Sequence, residues 1–167
     1  DEIMLAAAVR GLRDIVKEAI EMEANVNDQH LDRDDLLLTS AENGDIENVT
    51  QAITSGANVN VHHPKKDQIT ALHLVSKGGH YNIVQLLLNF KADPNICDEH
   101  GLTPAHHASQ KGRVDVLKLL NEVGRVDINA IDNHGKTPAH HASQKGHVDV
   151  LKLLIEVGRV DINVTDK

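Results

Sequence analysis

The sequence predicts an all-α solenoid, built from stacked helix-turn-helix units joined by short turns that project as β-hairpin-like fingers. Three observations carry that expectation. The stretch Gly101–Asn129 returns almost unchanged at Gly135–Asn163, a period of 34 residues. Self-similarity at such a period marks a repeat array and not one globular core. Five glycines, Gly11, Gly44, Gly79, Gly112 and Gly146, recur 33, 35, 33 and 34 residues apart, each between a short segment and a longer one with apolar residues at helical spacing.

One unit shows how the pattern works. Thr103 suits a helix cap and Pro104 the first helical position. Ala105, Ala108 and Ser109 make a narrow helix that neighbours can approach closely. Gly112 lets the chain leave that helix. Val114, Val116, Leu117, Leu119, Leu120 and Val123 then form a broad apolar stripe, with Asp115, Lys118 and Asn121 between them. Two short helices cannot bury such a stripe alone, but stacked on like pairs they can.

Taken in order, the first unit (EIMLAAAVRG, then LRDIVKEAIEMEANVN) lacks a Thr-Pro start and reads as a terminal unit. The second lacks it too, so Asp34 or Asp35 is expected to cap its first helix. Its second helix is polar, with Thr50, Thr54 and Ser55, and reads as weak. Gly56 suits a left-handed terminus. The insertion Val61 to Asp67 follows, the one place where the array breaks its pattern, and insertions in such arrays map to loops on one face. In the third unit Lys91 stands where a glycine is usual, which places a non-glycine residue in the left-handed region at modest cost. First helices are expected over 3–10, 35–43, 70–77, 104–111 and 138–145.

Thr103-Pro104-Ala105-His106-His107-Ala108 and Thr137-Pro138-Ala139-His140-His141-Ala142 resemble the ankyrin signature T-P-L-H-x-A, with Ala for Leu. Leu72-His73 in the third unit keeps the Leu-His pair. The resemblance covers nearly the whole chain, most closely 68–163. It implies one ankyrin-repeat domain over 1–167, with repeats at about 1–33, 34–67, 68–100, 101–134 and 135–167. It also implies that His73, His106 and His140 tie turn to helix start, that His80 and His147 occupy ordinary positions after the turn, and that a concave surface of finger turns and first helices grips another protein.

Composition narrows the classes. Aromatic residues are 1% of the chain and Trp is absent, poor for a compact core but sufficient for Ala, Leu, Val and Ile at nearest-neighbour interfaces. No apolar run approaches a membrane span, and no secretory signal opens the chain. The single Cys97 suits a reducing, cytoplasmic setting. The net charge of −8 lacks the basic stripe of a nucleic-acid binder, and it is uneven: residues 1–63 carry −9 and 64–167 carry +1. An acidic patch for a basic partner is one reading of that end, and a plain solvated surface the other.

Twelve histidines raise the question of chemistry. No phosphate loop, G-x-S-x-G or H-E-x-x-H is present. His107 and His141 sit on the groove side of neighbouring first helices without a third ligand, and His62-His63 has no acid or thiol at fixed spacing. The reading is therefore no catalysis, no cofactor and no metal. The expected function is a monomeric protein-binding module, without nucleic acid or membrane insertion. The alternatives are a recruiting segment of a larger protein whose enzymatic domain lies elsewhere, and a histidine-dependent metal-binding protein.

Repeats four and five differ at six of 33 paired positions: Leu102/Lys136, Arg113/His147, Asn121/Ile155, Ala130/Val164, Ile131/Thr165 and Asn133/Lys167. Four of the six lie in or beside the finger. Relaxed constraint at a turn tip explains that as well as contact does. The contact reading gives one strip: Ile69, Leu74, Lys77, Glu99, His100, Leu102, His107, Gln110, Lys111, His134, Lys136, His141, Gln144 and Lys145. Ile69 and Leu102 serve as apolar anchors, and His107 and His141 as groups that make binding pH-sensitive.

The outer face of the last unit keeps Leu151, Leu153, Leu154 and Ile155 with no polar replacement, unlike a capping repeat, so the protein is expected to continue past Lys167. Amide exchange in residues 1–167 should then be faster over 138–163 than over 104–129. Equal protection of the two segments would count against it.

Overall fold

The computed structural model describes residues 32–123 and 125–157. The helix expected over 3–10 lies outside them. So do the residues after 157, where part of the exchange comparison falls.

Within that range the helices alternate. Residues 32–43 form α1, then come α2 (Ile46–Thr54), α3 (Ala71–Gly78), α4 (Tyr81–Asn89), α5 (Pro104–Gln110), α6 (Val114–Glu122), α7 (Pro138–Lys145) and α8 (Val148–Glu156). The odd-numbered helices are the first of each unit and the even-numbered ones the second. The described residues hold no strand, only an isolated antiparallel bridge between His62 and Thr70. The all-α array expected from the sequence is the one observed.

Small residues set the spacing. Ala71, Ala105 and Ala108 are fully buried, and the first helices α3, α5 and α7 pack more extensively on one another than α4, α6 and α8 do. Closer approach on one layer makes that layer the inner side of the curve. The core runs between the layers through Leu37, Leu72, Val84, Leu87, Leu117, Leu120 and Leu154. Each of these is at most 1% exposed.

The turn glycines close the units as expected. Gly44, Gly79, Gly112 and Gly146 all have φ between 70° and 84°. A second constraint applies at Gly112: a Cβ there would lie 2.8 Å from the His147 ring of the following unit. The site needs glycine for conformation and for contact. Lys91 takes φ 64°, the left-handed non-glycine residue foreseen after α4, and Gly56 takes φ 97°.

Two local expectations need correction. α1 is already helical at residue 32, so neither Asp34 nor Asp35 caps it. The Asp34 carboxylate instead accepts the Asn58 amide at 2.7 Å. The helix α2 forms despite its polarity. Asp45 caps it by accepting the Asn48 amide at 3.1 Å, and Val49, Ala52 and Ile53 are buried. Thr50 and Thr54 turn their hydroxyls back onto Ile46 and Thr50 carbonyls at 2.7 and 2.8 Å. Tertiary packing outweighs weak propensity here.

The contrast between core and edge is testable. Leu117 is 0% exposed and Ile155 is 65% exposed. Leu117→Ala should cost about 2–5 kcal/mol in urea unfolding, as lost transfer energy plus a cavity. Ile155→Ala should change stability by less than about 0.5 kcal/mol. A similar cost for both would contradict this packing.

Candidate binding surface

The two regular fingers are each built around a buried carboxylate, Asp98 or Asp132. In the fourth unit Asp98 Oδ1 accepts the amides of His100 and Leu102, both at 2.9 Å, while its own amide donates to the Leu102 carbonyl at 2.9 Å. Gly101 at φ 77° turns the tip. Asp132 repeats the arrangement with His134 and Lys136 at 2.8 and 2.9 Å. Burial alone would raise both carboxyls. The donors to each oppose it, led by His107 for Asp98 and by the Lys136 amide for Asp132, and they hold both groups below the usual aspartate value.

The signature histidines lock finger to helix. Nδ1 of His106 accepts the Thr103 amide at 3.1 Å, which leaves the proton on Nε2, and that nitrogen donates to the Lys136 carbonyl of the next finger at 3.1 Å. His73 does the same between the Thr70 amide and the Leu102 carbonyl, at 3.1 and 3.0 Å. His140 accepts the Thr137 amide at 3.1 Å. The residues after Gly112 and Gly146 reach backward: His147 Nε2 lies 3.0 Å from the Gln110 carbonyl and Arg113 Nε 3.3 Å from the Lys77 carbonyl.

The inserted finger is wider. The His63 amide donates to the Ile69 carbonyl at 2.7 Å and the His62 ring meets the Gln68 carbonyl at 2.7 Å. Asp67 and Gln68 both have positive φ, 45° and 57°. Lys66 pairs with Glu42 of α1 at 2.6 Å, and the Glu99 amide donates to the Asp67 carbonyl at 2.9 Å. The insertion is tied to units on both sides.

The fourteen residues singled out in the sequence separate into four groups. Lys77, Glu99, His100, Lys111, His134, Gln144 and Lys145 are exposed, and Ile69, Leu102, Gln110 and Lys136 half-buried. Leu74 is buried, 9% exposed, and belongs to the core. His107 and His141 do not point free into a groove. His107 Nε2 lies 2.9 Å from Asp98 Oδ2 and His141 Nε2 2.8 Å from Asp132 Oδ2, with both rings only 12% exposed. Their rings also meet His73 and His106 edge-on, at 5.5 and 5.6 Å. Spacing along the helix showed the side these histidines occupy, but the aspartate nine residues upstream captures them.

One further feature escaped the sequence reading. Between α4 and α6, Tyr81, Asp115, Lys118, Leu119 and Glu122 line a hollow of about 350 Å³ on the second-helix side. Cys97, in the approach to the finger, is exposed, and its thiol is pushed up by partial burial and by Asp98 and Asp93, which disfavours the thiolate a nucleophile needs.

These features define a stack of helix pairs with projecting fingers, the class of tandem helical-repeat proteins. The family comparison matches the model described as ankyrin repeats (3 copies) over residues 3–98, 37–130 and 72–166. The chain belongs to the ankyrin repeat family. A stretch of 52 residues is 42% identical to part of the transient receptor potential cation channel subfamily A member 1 of Homo sapiens, covering 31% of this chain and 5% of that protein. Among the described residues no helix is long and apolar enough to cross a membrane.

The buried histidines make stability pH-dependent. Burial is the main cause that lowers His73 and His106 to about 4, against about 6.5 when unfolded. Between those values the unfolded chain binds more protons, so stability is full above pH 6.5 and is lost as pH falls towards 4. Asp98 and Asp132, lowered when folded, add a second loss below the ordinary aspartate value of about 3.8. The urea midpoint should fall steadily from pH 7 to 4.5, and His106→Gln should flatten that slope. A midpoint constant over this range would contradict the burial.

Proposed function

We propose that this chain is a protein-interaction module, without catalysis of its own, which holds a partner protein on its finger tips and the inner ends of its first helices. The observation that supports this is a division of labour within each unit. Asp98, Thr103 and His106 are buried and hydrogen-bonded, whereas Glu99, His100, Leu102, Gln110 and Lys111 are at least partly exposed between them. The fixed residues hold the free ones at known positions, and such preorganisation lowers the cost of binding. Ile69 and Leu102 supply apolar anchors, and Lys77, Lys111, Lys136 and Lys145 a polar surround. A reducing cellular interior is the setting that fits a single unpaired cysteine.

A second reading makes this segment the recruiting part of a larger protein. It is supported by the channel match, which occupies only 5% of that protein's length. Immunoblotting of the endogenous product distinguishes the two, since the segment alone has a mass of 18.2 kDa.

The binding face is tested by substitution once cross-linking and mass spectrometry have identified a partner. Leu102→Ala with Lys111→Ala should weaken binding by more than about 1 kcal/mol, the level that marks a contact in alanine scans. Lys118→Ala with Lys152→Ala, on the second helices, should leave it within about 0.5 kcal/mol of the parent. The reverse ranking would put the partner against the hollow beside Tyr81 and remove the proposed face. His107→Ala is unsuitable as a contact probe because it also strips a donor from Asp98.

A further inference from the structure

We propose that Asp67, Glu99 and His100 form a binding site for a divalent transition-metal ion of the zinc or copper type, shared between two neighbouring finger tips. Their ligand atoms all lie within 4.8 Å of one another, the one such group of three among the described residues. His100 Nε2 is 3.8 Å from Asp67 Oδ2 and 3.8 Å from Glu99 Oε1. Donor atoms around a tetrahedral zinc ion, with bonds near 2.0–2.2 Å, are separated by roughly 3.4 Å. Small side-chain rotations close that difference, since the three side chains are 51–60% exposed.

The charges at this joint favour a cation. Two carboxylates meet around His100, and among the described residues neither has a Lys or Arg ion-pair partner. The nearest lysine in sequence, Lys66, is committed to Glu42 at 2.6 Å. Like charges this close oppose the arrangement unless a cation screens them. The backbones that carry them are held: the Glu99 amide bonds the Asp67 carbonyl at 2.9 Å, and Asn133 bonds the His100 and Glu99 carbonyls, both at 3.0 Å.

The donor set states the preference. One imidazole with two carboxylates suits zinc, copper or nickel, whereas magnesium and calcium favour all-oxygen sites. Three protein ligands leave coordination positions for water or for a donor from a bound partner. The corresponding positions one joint further along are His100, Asn133 and His134, which contain no acid. Asp67 belongs to the insertion, so the ion would clip the inserted finger to the next one. The site is distinct from His107 and His141, whose Nε2 atoms are taken by Asp98 and Asp132.

The test uses the whole chain, stripped with a chelator, and Zn²⁺, Cu²⁺ and Mg²⁺ salts as probes. Calorimetry should show one Zn²⁺ site, weakened at least tenfold in His100→Ala and in Asp67→Asn, with circular dichroism unchanged because all three residues are exposed. His134→Ala should retain it, and Mg²⁺ should bind at least tenfold more weakly than Zn²⁺. Substoichiometric Cu²⁺ should broaden the amide resonances of Asp67, Glu99 and His100 first. Zinc affinity unchanged in His100→Ala, loss of the site in His134→Ala, or equal binding of Mg²⁺ would each overturn the proposal.

Discussion

A neutral imidazole with both nitrogens occupied is the interaction on which the array depends. Nδ1 of His73 or His106 accepts the amide that begins its own helix, and Nε2 donates to a carbonyl of the following finger. The same ring therefore satisfies an orphan helix-start amide and connects two units. A second proton, on Nδ1, would face the amide hydrogen that this nitrogen now accepts, and burying the charge would be costly. That is why burial holds these groups uncharged and why folding is linked to acid. A glutamate or glutamine could cap the helix locally, but the rigid ring also spans to the neighbour.

Two other inter-unit devices run parallel to this one. On the turn side, a His or Arg following the glycine seats against the preceding turn, where any side chain on that glycine would collide with it. At the opposite edge, Asn60 accepts the Asp93 amide at 2.9 Å and Asn95 accepts the Asp127 amide at 2.8 Å. Each of these aspartates then accepts an amide two residues onward, from Asn95 and Asn129 at 2.9 and 3.0 Å. Polar ladders on both margins enclose the apolar seam, so backbone groups at the loops are satisfied without covering the inner face.

The fingers show how an array can vary without losing register. Asp98 and Asp132 close equal hairpins, and the residues between their hydrogen bonds are free to differ. The insertion keeps the same margins but moves the closing bond to His63 and Ile69, with two non-glycine residues in left-handed backbone. Its stabilisation comes from neighbours, Glu42 on one side and the Glu99 amide on the other. Variation tolerated at such a position is also what brings Asp67 beside Glu99 and His100.

The period, the turn glycines, the Thr-Pro starts and the apolar stripes are local patterns, so the sequence by itself determined the helix pairs, their stacking and the family. Lys91 in left-handed backbone and the structural use of His73 and His106 were legible for the same reason, since each repeats at a fixed place in the unit. What lay beyond it were pairings set by three-dimensional closure. Asp34, which suited a cap, accepts an amide 24 residues away. Leu74 falls on a first helix whose neighbours bury it. His107 and His141 share the inner side with the proposed strip, yet hairpin closure brings Asp98 and Asp132 within hydrogen-bond reach of them. Periodicity tells which side a residue occupies; only the tertiary structure decides whether another side chain reaches it first.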